Sequence, residues 1–297
     1  MHPVIYLNKT MVDATKARVA PVSSAMLYGR GVFTTVAVYG GNPFLWPEHW
    51  RRLVTNADHL GINHEGCSER SVGEALRKLV AVNRVTTGRA RVVLLARNSP
   101  DFWKTKRTTG RKTDLLIMTS DQQKVREAGI SLAVSPYRVN TASPVVGIKT
   151  LNYLERVLAW EEAQSRQFDE AVMLNERGEV VSATMANIFW VNDGTIHTPS
   201  LVTGAYDGVT RAAVLDLAEK QFIPVLQGVY DMADLTNAEE IFLTSASLGL
   251  AIVTAFDFRQ YGVTQESIAA RLRSDLRELI AAGIEPKVNP RPVKRPD

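Results

Sequence analysis

Short strand-like stretches recur along this chain between helical ones, without the strict strand–helix–strand alternation that builds a parallel sheet. Residues 31–38 (GVFTTVAV), 89–96 and 114–119 are rich in β-branched or continuously apolar residues, as strands are. Between them, the pattern predicts helices over 47–60, which opens with a proline, and 72–83. Because strands and helices are mixed in this way, the sequence predicts an α+β fold rather than a doubly wound sheet.

The second half of the chain repeats this mixture after a polar interruption. Residues 121–127 (DQQKVRE) break the strand pattern, and we place the domain junction there. A chain of 297 residues is long enough for two domains. The predicted organisation is an N-terminal domain over 1–120, a linker over 121–127 and a C-terminal domain over 128–297. In the second domain the pattern predicts strands over 130–135, 170–174, 179–182, 187–191 and 240–244, and helices over 151–165, 210–221 and 265–282.

The composition excludes several classes of protein. A single cysteine, Cys67, allows no disulfide within the chain, which suits a reducing cytoplasm. The net charge of +4 is too small to argue for nucleic-acid binding, and the N-terminus does not have the pattern of a signal peptide. No apolar run is long enough to span a bilayer. Metal binding is not expected, because metal-ligand spacing is absent among the histidines, which are His2, His49, His59, His64 and His197.

One lysine stands out by its position. Lys149 lies in GIKTLNYLERVL, after an apolar, strand-like approach and directly before the predicted helix 151–165. A lysine there is ordinarily a solvated surface residue, so Lys149 alone indicates little. Three other patterns in the chain suit an anion: the helix start at 208–211 (GVTR), the small residues at 244–247 (TSAS), and Arg52 in HWRRL.

Six motifs occur in an order and spacing that resemble the class IV, fold-type IV pyridoxal-phosphate (PLP) family, over about residues 27–257. That family includes branched-chain aminotransferases, D-amino-acid transaminases and aminodeoxychorismate lyases. The motifs are GRGVFTTVAVYGG, PEHWRRL, GIKTLNYLERVLAWEEA, DEAVMLNERGEVVSATMANIFWV, DGVTRAAVLDLA and EEIFLTSASLGLAIV. The resemblance implies a two-domain α+β fold, with a small N-terminal α/β domain and a larger C-terminal pseudo-barrel domain that binds PLP.

The resemblance also implies roles for matching residues. Lys149 would form the Schiff base with the cofactor and shuttle the proton. Tyr153 would contact the ring oxygen of the cofactor, and Asn187 would have a structural role. The cofactor phosphate would be held by Arg52, Val209, Thr210, Ser245 and Ala246.

This chain departs from the family pattern at one position. Five residues before Asn187 the family carries a glutamate that contacts the pyridine nitrogen, whereas this chain has Ser182. A serine hydroxyl keeps that nitrogen protonated less well than a carboxylate does, so the ring would accept electrons less strongly. Glu179 lies three residues away, on the opposite face of a strand. The serine leaves three alternatives: another group contacts the pyridine nitrogen, the enzyme works with an unprotonated pyridine, or its catalysis is impaired.

The motifs leave the reaction open between two classes. Phe33 to Thr35 (FTT) and TSASLGLA resemble the lyases, which form 4-aminobenzoate and pyruvate, whereas LNYL resembles the aminotransferases. Phe33 and Thr35 would line the substrate pocket, and Arg97 would meet a substrate carboxylate. We favour a class IV aminotransferase acting on a small amino acid or amine. A PLP-binding homologue with impaired catalysis is a third alternative. The resemblance further implies a homodimer.

Overall fold

The structure, a computed structural model, describes residues 1–97, 112–122, 129–262 and 264–283. The chain divides into two units, Met1–Gln123 with Ile148–Asn152 and Lys124–Gly147 with Tyr153–Asp297. Most of the predicted linker at 121–127 lies outside the described residues, so the domain boundaries stay a prediction. Within the described ranges, every helix is too short or too polar to cross a bilayer.

The first unit is a six-stranded antiparallel sheet with two long helices against it. The strand order is β2-β1-β6-β5-β3-β4. Its elements are β1 Val4–Leu7, β2 Thr10–Asp13, α1 Ser24–Tyr28, β3 Gly31–Tyr39, β4 Asn42–Pro43, α2 Trp46–His59, α3 Glu69–Val82, β5 Thr87–Ala96 and β6 Thr113–Asp121.

Period-two alternation decides which side chains of β3 enter the core of the first unit. Val32, Val36 and Val38 are fully buried and pack in one cluster with α2 and α3, whose contributions include Leu53 and Leu76. Successive side chains of a strand point to opposite faces, so Phe33 and Thr35 project from the other face of the sheet. Phe33 and Thr35 therefore lie on the face of the sheet opposite to the core that α2 and α3 cover.

The second unit contains a nine-stranded mixed sheet. Eight strands follow the order β12-β11-β10-β13-β14-β7-β8-β9, and β15 pairs with β14. The elements are β7 Ile130–Val139, α4 Leu154–Ser165, β8 Glu170–Asn175, β9 Val180–Ala183, β10 Asn187–Asn192, β11 Thr195–Pro199, a 3-10 turn Leu201–Thr203, α5 Val209–Lys220, β12 Val225–Gly228, α6 Met232–Thr236, β13 Glu240–Ser245, β14 Gly249–Phe256, β15 Arg259–Gln260 and α7 Ile268–Ala281.

This second sheet curls. β9 stands at one end of the strand order and yet contacts β10, and the Ala183 N–H donates to the Ala186 carbonyl at 2.9 Å where the chain passes from one strand to the other. Trp190 and Leu132 are fully buried inside the core that the curled sheet forms. The predicted α+β fold with a pseudo-barrel domain is confirmed.

The predicted elements are found with their ends moved by up to four residues, and at one helix the shift changes the setting of the lysine. The helix predicted over 151–165 begins at Leu154, so placing Leu151 within it is wrong. The reason is a long-range pairing: the Leu151 N–H donates to the Gly31 carbonyl of β3 at 3.0 Å, so its backbone extends along a strand instead of winding into a helix. Lys149 consequently lies beside a sheet rather than at the start of a helix.

Candidate active site

Lys149 is fixed by backbone pairing with β3 in the first unit. The Phe33 N–H donates to the Lys149 carbonyl at 3.0 Å, and Val32 and Thr150 form an antiparallel bridge. Ile148 and Thr150, on either side of the lysine, are both buried at 3% exposure. Because alternate residues of an extended segment face opposite ways, Lys149 points away from the side that its two neighbours fill.

Gly31 makes this pairing sterically possible. A Cβ atom added at Gly31 would lie 2.5 Å from Cδ1 of Leu151 and 3.0 Å from the Leu94 carbonyl oxygen. Cβ atoms are essentially never found that close to another heavy atom. The glycine at the start of β3 thus allows the lysine-bearing segment to approach the strand.

Two cations share the ring of Phe33. Nζ of Lys149 lies 4.8 Å from the ring centroid, and Cζ of Arg91 lies 3.7 Å from it. Arg91 comes from β5, where it pairs with Thr35 of β3. The predicted substrate residues Phe33 and Thr35 therefore share one face with the predicted reactive amine and an arginine.

Arg52 is connected to β3 through a threonine. Nη2 of Arg52 donates to Oγ1 of Thr34 at 2.9 Å, and the same oxygen lies 2.7 Å from Nδ1 of His49. Arg52 and His49 both belong to α2, one turn apart. The threonine hydroxyl therefore fixes the guanidinium relative to the strand that carries Phe33.

His49 is a buried, neutral histidine. Its side chain is 3% exposed. Burial lowers the pKa of His49 well below its usual value, and the positive charges of Arg52 and Lys149 lower it further. Hence His49 supports Thr34 without adding another charge beside Arg52.

In the second unit, the start of α5 has the chemistry of an anion site. Gly208 is the N-cap and has no side chain to cap the first amides, and the first turn contains no acidic residue. A Cβ atom at Gly208 would lie 2.1 Å from Oδ1 of Asn187, whose Nδ2 donates to the Tyr206 carbonyl at 2.8 Å. Asn187 thus fixes the segment that leads into α5. The amides of Val209 and Thr210 lie at the positive end of the dipole of α5.

The end of β13 provides a second polar group in this unit. Thr244 is 1% exposed, and its Oγ1 has no hydrogen-bond partner within the described residues. Ser245 ends β13 and Ala246 begins the turn to β14, where Oγ of Ser245 accepts from the Leu248 N–H at 3.1 Å. A buried hydroxyl without a partner is costly, so a polar ligand at this strand end would relieve it.

Ser182 is buried on β9 against an arginine of α4. Nη1 of Arg156 donates to Oγ of Ser182 at 3.1 Å, and also to the carbonyls of Ala183 and Thr184 at 3.1 Å each. Tyr153 lies nearby, with its hydroxyl 3.4 Å from the Thr184 carbonyl oxygen. The predicted cofactor residues Tyr153 and Ser182 are therefore neighbours of one buried guanidinium.

Arg97 and Glu179, two charged residues that the sequence made candidates for a role at the site, each form an ion pair within their own unit. Arg97 lies 3.7 Å from Asp114 in an ion pair, with a side chain that is 52% exposed. Glu179 pairs with Arg177 at 2.7 Å and accepts from Asn175 at 2.6 Å, so its carboxylate is engaged away from Ser182.

Sequence reasoning did not single out His49, Arg91 or Arg156. His49 had been considered only as a metal ligand, and Arg91 falls among apolar strand residues. Strand alternation in β5 offered a signal for Arg91, because it places Arg91 on one face of the strand. In the structure Arg91 pairs with Thr35 of β3. Arg156 reads as an ordinary helix arginine, and only the tertiary fold shows its burial.

Comparisons with known proteins show the family to which this chain is similar. A family model described as amino-transferase class IV matches residues 31–256. A Methanocaldococcus jannaschii protein assigned as a branched-chain-amino-acid aminotransferase is 34% identical over 86% of this chain and 88% of its own length. The aminodeoxychorismate lyase of Bacillus subtilis is 30% identical over 87% and 88%.

A solved structure gives the same result for the fold. The branched-chain aminotransferase of Thermoproteus uzoniensis, crystallised with norvaline, superposes with a TM-score of 0.87 at 26% identity, over 96% of this chain and 97% of that one. The chain therefore belongs to the class IV aminotransferase family and is a pyridoxal-phosphate-dependent enzyme.

Proposed function

We propose that this protein is an aminotransferase for a small α-amino acid or amine and that Lys149 is its reactive amine. The observation that carries the proposal is the shared ring of Phe33, which has Nζ of Lys149 at 4.8 Å and Cζ of Arg91 at 3.7 Å. A proton-transferring amine and a carboxylate-binding guanidinium beside one aromatic surface suit an α-amino acid, whose Cα–H and carboxylate are adjacent.

The residues present fit a phosphorylated cofactor. Two features favour an anion: the start of α5 without a side-chain cap, and the Thr244 hydroxyl, which has no hydrogen-bond partner among the described residues. When bound, PLP supplies an aldehyde that joins to amines and a ring that accepts electrons from the substrate α-carbon. The remaining chemistry belongs to the protein.

Each protein group then has one task. Nζ of Lys149 takes the α-proton of the substrate and returns it. Arg52, oriented by Thr34, binds the phosphate, and the amides of Val209 and Thr210 bind it at a helix start. Ser245 and Ala246 contribute further polar contacts at the strand end. Tight phosphate binding supplies anchoring energy remote from the reacting carbon.

The carboxylate of the substrate has two candidate partners. Arg97 is the predicted one. Arg91 is the second, and we favour it because its Cζ lies over the same Phe33 ring as Nζ of Lys149. A guanidinium binds a carboxylate through two parallel hydrogen bonds, so it would orient the α-carbon as well as hold it.

The chemical role of Lys149 is tested by trapping. Borohydride treatment of the protein loaded with PLP is expected to abolish the cofactor absorbance band and to fix the label on Lys149. Lys149→Ala is expected to lose turnover by about 10²–10⁴-fold or more, because one amine performs both proton transfers. Lys78→Ala, an exposed lysine of α3, is the matched control. A label on another lysine, or full turnover in Lys149→Ala, would contradict the assignment.

A lyase is the second candidate, favoured by the Phe33–Thr35 sequence and by the 30% identity to the Bacillus subtilis lyase. One panel separates the two: L-amino acids, D-amino acids and primary amines with a keto-acid acceptor, and aminodeoxychorismate alone. Keto-acid formation from amino acids supports the aminotransferase. Release of 4-aminobenzoate and pyruvate without an acceptor would assign the lyase.

We further propose a homodimer that works in the cytoplasm and does not act on nucleic acid. The support is the family membership, the single cysteine and the modest net charge of +4.

A further inference from the structure

Arg156 is a buried cation placed against the backbone of β9. Its side chain is 7% exposed, and its Nη1 donates to Oγ of Ser182 and to two strand carbonyls. Cζ of Arg156 lies 4.3 Å from the centroid of the Tyr206 ring, which stacks on Tyr153 at 6.5 Å. Carbonyl oxygens and aromatic faces thus surround the guanidinium and hold it in place.

This cation remains charged. Burial alone would lower the pKa of Arg156, but Tyr206, Tyr153 and Glu170 act the other way, and the net effect raises it. Arg156 makes no ion pair with any residue that the structure describes. The nearby carboxylate of Glu170 instead accepts from the backbone amides of Ala171, Thr184 and Met185 and from the Thr184 hydroxyl. The charged group in direct contact with Ser182 is therefore the Arg156 guanidinium, whereas the Glu170 carboxylate is bound by other donors.

The contact with Arg156 determines what Ser182 can offer to a ligand. A guanidinium only donates hydrogen bonds, so the serine oxygen accepts here. The hydroxyl hydrogen is left for another partner, and that partner must be an acceptor. A protonated nitrogen facing Ser182 would need an acceptor and would also be repelled by the charge of Arg156.

We propose that Arg156 and Ser182 act as a pair that holds the ring nitrogen of the cofactor in its unprotonated form. The inference rests on the proposed function and on the family resemblance, which implies that Ser182 stands at the ring nitrogen. Ser182 donates to the nitrogen, and Arg156 is a positioning residue that acts through Ser182. Of the three alternatives that Ser182 raises, this proposal selects the one in which the pyridine ring is unprotonated.

The pair also restricts the chemistry. A neutral ring accepts electrons from the α-carbon less strongly than a protonated ring. Proton abstraction then depends more on Lys149 and on the acidity of the substrate's own Cα–H. Substrates whose α-carbanion is stabilised by their own structure are the class that this site favours.

The test is spectroscopic and does not depend on turnover. The protein is loaded with PLP carrying ¹⁵N at the ring position, and the nitrogen chemical shift is followed by NMR from pH 5.5 to pH 8.5. The expected shift is that of an unprotonated pyridine throughout this range, in which free PLP titrates, because the proposed pair lowers the nitrogen pKa below the range. A protonated-pyridine shift at neutral pH in the wild-type protein would overturn the proposal.

Variants identify the groups responsible. Arg156→Met is expected to raise the nitrogen pKa by about one unit or more. Arg156→Met combined with Ser182→Glu is expected to give the protonated shift at neutral pH. Arg166→Met, which removes an arginine from the end of α4 without touching Ser182, is the matched control and leaves the shift unchanged. An Arg156→Met protein whose shift equals that of the wild type would exclude a role for Arg156.

Failure of the function and failure of the inference are distinguishable. A protein that shows no PLP absorbance band and no borohydride-fixed label on Lys149 refutes both. A protein that carries the label on Lys149 but has a protonated ring nitrogen refutes only the pair. Because the wild-type shift is decisive by itself, the proposal stays falsifiable even if Arg156→Met does not fold.

Discussion

At the scale of single residues, one hydroxyl in the first unit connects Arg52, the proposed phosphate ligand, to the buried His49. Thr34 accepts from Arg52 and contacts Nδ1 of His49. A protonated His49 would place a second positive charge beside Arg52 in a buried position, which costs free energy. The folded state therefore resists protonation of His49.

This resistance predicts a pH dependence of stability. The unfolded chain takes up a proton at His49 as pH falls below about 6.5, whereas the folded chain does so only at much lower pH. The free energy of unfolding is therefore at its full value above pH 6.5 and falls below it, by up to about 1.4 kcal/mol per pH unit from this group.

The measurement is urea unfolding between pH 5 and pH 7.5. His49→Gln is expected to flatten the slope, and His64→Gln, which changes a partly exposed histidine in an ion pair with Asp58, serves as the control. A slope in His49→Gln as steep as that of the wild type would show that another group is responsible.

The residues that could be predicted from the sequence are those that carry a motif. Lys149 and Arg52 stand in recognisable patterns, so hypotheses about them were available at once. Arg156 was not predictable, because a helix arginine normally faces water, whereas here α4 packs on β7 and β8 and its Arg156 reaches Ser182 of β9. His49 was likewise hidden, since its role depends on a contact with Thr34 fifteen residues away in sequence.

At the scale of elements, the start of α5 depends on close packing around a glycine. Gly208 has no room for a Cβ, because Oδ1 of Asn187 would lie 2.1 Å from it. Asn187 is held by its bond to the Tyr206 carbonyl, so it cannot move aside without losing that bond. The position of the first amides of α5 follows from this packing.

Gly208→Ala is accordingly expected to weaken PLP binding about tenfold and to destabilise the fold by about 1–3 kcal/mol, because the added methyl displaces the helix start or Asn187. Fluorescence titration with PLP and urea unfolding measure the two effects. Gly262→Ala is the matched control, since nothing lies within 4 Å of a Cβ there and the change should be close to neutral. Unaltered PLP affinity in Gly208→Ala would argue against phosphate binding at α5.

The elements themselves were largely predictable, because strands and helices of this length have clear periodicity. The strand predicted over 31–38 is found as Gly31–Tyr39, and the helix predicted over 210–221 as Val209–Lys220. The error at Leu151 has a physical cause. Local periodicity favoured a helix, but hydrogen bonds to Gly31, far away in sequence, determined the extended backbone.

At the scale of the whole molecule, each of the two units contains residues that we assign to the cofactor. Arg52 and Lys149 lie in the first unit, and the start of α5 and the end of β13 lie in the second. A ligand that binds only the folded chain stabilises it by about 2.7 kcal/mol at a concentration one hundred times its dissociation constant.

Hydrogen exchange with and without PLP tests both assignments together. Peptides covering β3 and α2 in the first unit, and the start of α5 in the second, are expected to exchange more slowly with PLP. The exposed helix face around Arg70 of α3 is the internal control and should not change. Protection confined to one unit would show that the residues assigned in the other unit do not bind the cofactor.

The pairing of residues 32 and 150 also has a consequence for biogenesis. Contacts between segments so distant along the chain form late, because closing the intervening loop costs entropy before the contact repays it. During synthesis, β3 can pair with β5 before the segment around Lys149 has left the ribosome, so that segment joins the first unit afterwards. Lys149 therefore reaches its place beside Phe33 only after about half of the chain has been made, and shorter nascent chains lack the proposed reactive amine.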